Sequence, residues 1–249
     1  MYFFTFTGLI IGLIAGIPYL ILRPYSPLIA SAVSIALIIL LYGFNHLDSI
    51  MDFGDSAMVR GIEAKQRVIK DKYTGSGGIG MLFVIYIPSI AFLTYFRPMS
   101  GFLIIIGGEI VSKYATLISM YNSRPFGEGL GKMFMDKISN NAMFFNIIPV
   151  ILVAVFNLYY IAVTAMAIIL AYALKSAMEK FYGGLNGDLI GSIGEISRLL
   201  FYAMAFIFAA SGLSLFLLYL HMFFRAPFHY KNDRGIWQGQ RPHCAAGFQ

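Results

Sequence analysis

Apolar runs of bilayer length recur through most of this chain, at about residues 3–22, 27–45, 79–96, 101–120, 142–156, 158–175 and 198–220. A hydrocarbon core of about 30 Å is crossed by roughly 17–25 apolar residues of helix. The chain therefore reads as all-α, a polytopic integral membrane helical bundle with about seven transmembrane helices. Dividing 142–175 near Asn157 leaves Pro149 inside a short first helix as a kink; if that stretch is one long tilted helix, the count is six. Only 12% of the residues are charged and 59% are hydrophobic. A soluble globule carries about a quarter charged residues. Residues 1–22 lack a basic n-region and an A-x-A site, so they read as a first membrane helix rather than a cleaved signal.

Residues 1–225 form a single transmembrane domain. From 226 to 249 the apolar period stops and Gly, Gln and His accumulate, a tail read as poorly structured and open to a non-native origin. Its Cys244 is the one cysteine, which excludes an intrachain disulfide and a cysteine-based metal site. His221, His229 and His243 lie in or beside the tail and form no zinc spacing.

The net charge of +6 is not read as a nucleic-acid signal, because the bases gather in loops. With the amino terminus inside, the inner loops and adjoining helix ends hold twelve of them: Arg60, Lys65, Arg67, Lys70, Lys72, Lys113, Arg124, Lys132, Lys137, Lys175, Lys180 and Arg198. The remaining six are Arg23, Arg97 and the tail's Arg225, Lys231, Arg234 and Arg241. The positive-inside rule then places the loops 46–78, 121–141 and 176–197 on the cytoplasmic face of the cell membrane. The opposite connections are too short to hold a site.

Chemistry concentrates on that face. Asp52 lies about 40° to one side of Asp48 and Asp55 about 20° to the other around a helix continuing from the second apolar run, so three carboxylates share one narrow face. Such a group suits Mg²⁺, which takes oxygen ligands and completes its shell with substrate phosphates; the alternative is a solvated acidic face. Lys70 and Asp71 precede Gly75-Ser76-Gly77-Gly78, where glycine-rich backbone entering a helix offers free N–H groups to phosphate, or merely a hinge. Arg124 stands ready for phosphate beside a glycine-rich run. Gly183-Gly184-Leu185-Asn186-Gly187-Asp188 and Glu195 form a third polar cluster. His46 falls on a different helical face from the aspartates, as a substrate contact or supporting residue. Glu109, inside the fourth run, is either functional or a buried structural acid.

Together these segments resemble the adenosylcobinamide-GDP ribazoletransferase (cobalamin-5′-phosphate synthase) family. His46-Leu47-Asp48 with Asp52 and Asp55 is similar to its HLDGLADTADG motif, and Ile69-Lys70-Asp71 with Gly75-Ser76-Gly77-Gly78 to its MKDSRxGTFG. Arg124 to Gly131 resembles its Arg-x-x-Gly-Leu-Gly region, and Gly183 to Gly191 its GGxTGDxLGA, with Glu195 at the following acidic position. Ser49, Tyr73, Asn186 and Arg198 depart from the usual glycine, arginine, threonine and acid.

The resemblance implies Mg²⁺-dependent transfer of the cobinamide-phosphoryl group of adenosylcobinamide-GDP to α-ribazole or its 5′-phosphate, releasing GMP. It implies Asp48, Asp52, Asp55 and Asp188 at the metal, with Asp48, Asp52, Asp55, Lys70 and Asp71 as catalytic residues. His46, Gly75, Ser76, Arg124, Gly184, Asn186, Gly187 and Glu195 would bind substrate. The expected partners are the two substrates and the lipid bilayer, with a homo-oligomer or a membrane complex with other cobalamin-assembly enzymes. The alternatives are a CDP-alcohol phosphotransferase, whose Asp-x-x-Asp-Gly-x-x-Ala-Arg motif is absent, and a transporter, which would want its acids inside the spans.

Overall fold

The computed structural model describes residues 2–155 and 158–211. The second half of the last apolar run, the tail, Cys244 and the three distal histidines lie outside the described residues. Ten helices follow in order: α1 (Phe4–Leu22), α2 (Pro27–Leu41), α3 (Asn45–Ala57), α4 (Ile62–Val68), α5 (Ser76–Thr94), α6 (Pro98–Met120), α7 (Leu130–Met135), α8 (Asn140–Val155), α9 (Leu158–Tyr182) and α10 (Gly187–Ala210). Five of them (α1, α5, α6, α9 and α10) are long and apolar enough to cross a membrane, and the bent pair α2–α3 makes six if it counts as one span. Seven would need α8, which at 16 residues is short. The division of 142–175 into two helices holds.

α6 is the centre of the bundle. It lies between α1 and α10, and its membrane-length window is 89% buried. Without a hydrophobic drive between helices inside lipid, close packing of small residues has to supply the contact. Gly8, Gly12 and Gly16 recur every fourth residue on the α1 face toward α6. A Cβ at Gly8 would stand 2.5 Å from the Glu109 carbonyl oxygen, and one at Gly12 2.7 Å from Ile106 Cα. At the end away from the polar motifs, the Tyr19 hydroxyl donates to the carbonyls of Leu93 and Phe96 at 2.7 and 3.0 Å. Arg23 adds bonds to Phe96 and Thr94, which closes the short connections there.

The expected continuous helix from the second apolar run through the aspartates does not form. α2 begins well, with Pro27 at its first position and the Ser26 hydroxyl accepting from Ile29 N–H. It ends at Gly43 and Phe44, both left-handed at φ 62° and 64°. Two successive left-handed residues cannot carry a right-handed helix onward, and α3 leaves at 95° to α2. We read α2 as the membrane-crossing part and α3, with its three carboxylates, as lying across its end outside the spans.

The last helix also begins earlier than expected, at Gly187 rather than near 198. Glu195 and Arg198 are therefore inside the bundle, each 1% exposed. Arg198 pairs with Glu109 at 3.1 Å and with Glu195. The Tyr42 hydroxyl donates to Glu109 at 2.6 Å and the Tyr86 hydroxyl to Glu195 at 2.9 Å. Glu109 is thus a paired acid. Lys113 and Lys175 are buried as well, Lys175 donating to the Tyr121 carbonyl. Of the twelve bases assigned to inner loops and adjoining helix ends, nine remain outside the buried interior.

Candidate active site

The connections that carry the motifs meet at one end of the bundle. A short parallel bridge joins Pro125 and Leu185: Phe126 N–H donates to the Leu185 carbonyl at 3.0 Å, and Leu185 N–H to the Arg124 carbonyl at 2.7 Å. Gln66 of α4 donates to the Tyr182 carbonyl at 2.6 Å, which ties the connection between α3 and α5 to the end of α9. α3 is held against α10 by the Ser192 hydroxyl, which donates to the Ser49 carbonyl at 2.7 Å. The two helices approach so closely there that a Cβ at Gly191 would lie 2.5 Å from Ser49 Oγ. Gly191 leaves the room that lets a serine stand at position 49.

Between these elements lies an open cavity of about 780 Å³. Asp48 and Asp52 of α3 line it on one side and Asp188 of α10 on another, with Lys70 and Lys132 among the surrounding residues. Its walls include His46, the 126–131 segment, Asn186 and Gly187. Asn186 begins α10: its side-chain oxygen accepts from Leu189 N–H at 3.0 Å, while its amide donates to the Asp188 carboxylate at 2.8 Å. One side chain thus caps the helix and orients an acid. His46 joins the aspartates at the cavity, although helical geometry separates their faces, because the cavity wraps around the start of α3.

Asp52 is the electrostatic focus. Burial raises its carboxyl to about 7, and the negative charges of Asp188, Asp48 and Asp55 add to the rise in that order. Burial also pushes His46 down to about 3, reinforced by Lys113 and Arg198. Lys132 shares an ion pair with Glu128 at 2.7 Å on the outer wall, which raises the lysine. That lysine was not singled out by the sequence; its position directly after the glycine-rich run was the available signal.

Other expected site residues stand elsewhere. Asp55 is seven residues beyond Asp48, about 10.5 Å along the helix axis, and reaches α5 instead of the cavity. Its carboxylate accepts Gly75 N–H at 2.6 Å and Gly78 N–H at 2.8 Å. The amides expected to receive phosphate are therefore engaged by this carboxylate, and Gly75 and Ser76 do not line the cavity. Asp71 is exposed and accepts from Tyr73 N–H at 3.4 Å. Arg124 contributes its backbone to the bridge while its side chain is exposed. Gly184 sits at φ 157°, where a Cβ would meet the Arg124 carbonyl at 2.6 Å, so its role is to let the two loops touch. Tyr73, at 86% exposure, is also off the cavity. Glu195 belongs to the buried ion cluster described above.

Among the described residues no three His, Cys, Asp or Glu side chains converge closely enough to hold a metal ion unaided. The four-aspartate metal set is not assembled as one cage. The donors that remain still fit a hard divalent cation: carboxylates on two helices share one cavity, and Mg²⁺ is commonly held by one or two carboxylates plus substrate phosphates.

Residues 1–206 match the profile of the cobalamin-5-phosphate synthase family. The chain is 36% identical over 205 residues to the adenosylcobinamide-GDP ribazoletransferase of Picrophilus torridus, covering 80% of this chain and 85% of that protein. It is 36% identical over 192 residues to the enzyme of that name from Thermoplasma volcanium, covering 74% of this chain and 73% of the relative. For Pyrococcus furiosus the identity is 36% over 198 residues, 76% of this chain and 83% of the relative. No solved structure matches the chain.

Proposed function

The chain belongs to the cobalamin-5-phosphate synthase family, and on that premise we propose that its cavity transfers the cobinamide-phosphoryl group of adenosylcobinamide-GDP to α-ribazole or its 5′-phosphate, releasing GMP. The observation that carries this reading is the meeting of Asp48, Asp52 and Asp188 with Lys70 and Lys132 around one cavity at the polar end of a membrane bundle. Transfer at a diphosphate needs negative charge neutralised on the phosphoryl group and on the leaving nucleotide, and the attacking oxygen held in line.

Asp48, Asp52 and Asp188 would hold Mg²⁺, which when bound polarises the phosphoryl oxygens and offsets the charge of the diphosphate. Lys70, placed by the end of α4 with its ammonium 5.6 Å from the Phe126 ring centre, supplies a positive charge facing the diphosphate. Lys132, ion-paired with Glu128, is a second cation lining the cavity. Asn186 orients Asp188, and Gly187 keeps the cavity wall low for a bulky substrate. Asp55 contributes indirectly, by fixing α5 against α3.

The bundle suits a large amphipathic corrinoid that approaches along the bilayer. The nine loop bases at the motif-bearing end, against Arg23 and Arg97 at the other, favour a cytoplasmic active face in the cell membrane. The test supplies purified protein in nanodiscs with adenosylcobinamide-GDP, α-ribazole and Mg²⁺. Coupled appearance of GMP and the cobalamin product is expected. A folded protein that forms neither contradicts the reading.

A further inference from the structure

Lys113 is a buried cation whose partner is a cavity residue. It lies in α6 at 5% exposure, 3.9 Å from the centre of the Tyr42 ring, and its Nζ meets His46 Nε2 at 2.9 Å. An ammonium group has three donors and no acceptor. The Nε2 that receives it must therefore present a lone pair, and the ring's proton resides on Nδ1. That second nitrogen points to α10, where a Cβ at Gly191 would come within 3.3 Å of it. Gly191 and His46 both line the cavity, and no hydrogen bond to Nδ1 is found among the described residues.

The surroundings keep this arrangement in place. Tyr42 packs edge-on against the His46 ring, with centroids 4.5 Å apart and planes at 79°. The same tyrosine donates to Glu109, one turn before Lys113 on α6. Two buried acids, Glu109 and Glu195, face two buried bases, Arg198 and Lys113, so the charge of Lys113 is balanced within the bundle.

We propose that Lys113 is a positioning residue that fixes His46 as a neutral donor, its Nδ1–H turned into the cavity to meet an oxygen of the phosphoryl group being transferred. This rests on the phosphoryl-transfer reading above. His46 then serves as a preorganised donor to charge that develops in the transition state. It does not serve as the general base, since one nitrogen is occupied by Lys113 and the other already carries the proton. The ribazole hydroxyl must lose its proton to a different acceptor.

Two substitutions separate the ring positions. Asparagine places an amide N–H near the position of Nδ1, whereas glutamine places one near Nε2. His46→Gln is expected to lower kcat about a hundredfold with little change in KM, the scale of losing one preorganised donor. His46→Asn should stay within about tenfold of the wild type, and Lys113→Met should fall about tenfold, as for loss of an orienting partner. The tautomer is read independently of turnover by ¹⁵N NMR of histidine-labelled protein, with the His46 signal identified by its loss in His46→Asn. The expected spectrum has a protonated Nδ1 and a bare Nε2, retained in Lys113→Arg and lost in Lys113→Met. A proton on Nε2 in the wild type, or equal loss of activity in His46→Asn and His46→Gln, overturns the proposal. If the wild type turns over no substrate, the phosphoryl-transfer reading fails, while the spectrum still decides whether Lys113 orients His46.

Discussion

The carboxylate of Asp55 accepts the backbone protons of Gly75 and Gly78 at 2.6 and 2.8 Å, so the third aspartate of the α3 motif caps the start of α5. Gly77 and Gly78 allow the approach: a Cβ at Gly78 would lie 2.8 Å from the Met51 carbonyl oxygen. Asp55→Ala is expected to cost about 0.5–2 kcal/mol of stability, the range for losing a helix N-cap. Asp55→Asn, which keeps an acceptor oxygen, should lose less. Unfolding in detergent followed by circular dichroism measures both.

Asp188 comes from a different helix, yet its charge raises Asp52 more strongly than either neighbouring aspartate of α3 does. An ion shared between them should bind through both. Asp52→Asn and Asp188→Asn are each expected to weaken Mg²⁺ binding at least about tenfold, given that a coordinating carboxylate is lost. Asp55→Asn should change it far less. Titration calorimetry in the presence of a non-reactive nucleotide diphosphate distinguishes the three.

The raised carboxyl of Asp52 has a definite sign in stability. Its folded value of about 7 lies above the ordinary 3.8, so the folded chain retains a proton that the unfolded chain has released. Stability from this group is full below about pH 4 and is lost as pH rises to about 7. Mg²⁺ competes with that proton, so the thermal shift on adding Mg²⁺ should grow from about pH 6 to 8. Asp52→Asn should flatten both dependences. Melting curves across that range, with Mg²⁺ or EDTA, provide the check.

Arg198 stands between Glu109 and Glu195 inside the bundle, and removing one partner of a buried pair leaves uncompensated charge. Arg198→Met is expected to cost about 3–5 kcal/mol. Combining it with Glu195→Gln should recover part of that loss, because the two substitutions share one interaction. Reversible unfolding of the single and double variants in mixed micelles measures the recovery.

A bundle of membrane-length helices with its polar connections at one end was legible from apolar run lengths and loop bases, because both follow from transfer out of water; a count of seven was not, since α8 is short and α2 bends into α3. The bend after α2 was less legible. Gly43 signals a break, but a phenylalanine gives no sign that position 44 takes the left-handed region. That bend decides the fate of the three aspartates, since periodicity reports direction around a helix and not what stands at each height along it. Asp48 and Asp52 meet the cavity, while Asp55, farther along, meets α5. Arg198 and Lys113 were read as bases at the helix ends adjoining the loops, because a single charge near a span end looks the same in sequence whether it is solvated or paired. The acids that pair Arg198, Glu109 and Glu195, are 89 and three residues away. The Gly8, Gly12 and Gly16 row was present in the sequence and marks where α1 approaches α6.

The most direct measurement is GMP release from adenosylcobinamide-GDP and α-ribazole by the nanodisc-embedded protein, with Mg²⁺ and then with EDTA. It is made for the wild type, Asp52→Asn, Asp188→Asn and the exposed control Asp136→Asn. The expected result is Mg²⁺-dependent release by the wild type and the control. Each of the two cavity variants should fall by at least about a hundredfold, as several kcal/mol of charge stabilisation would dictate. Undiminished release by folded Asp52→Asn or Asp188→Asn, or release that survives EDTA, would contradict a transfer centred on carboxylates shared by α3 and α10.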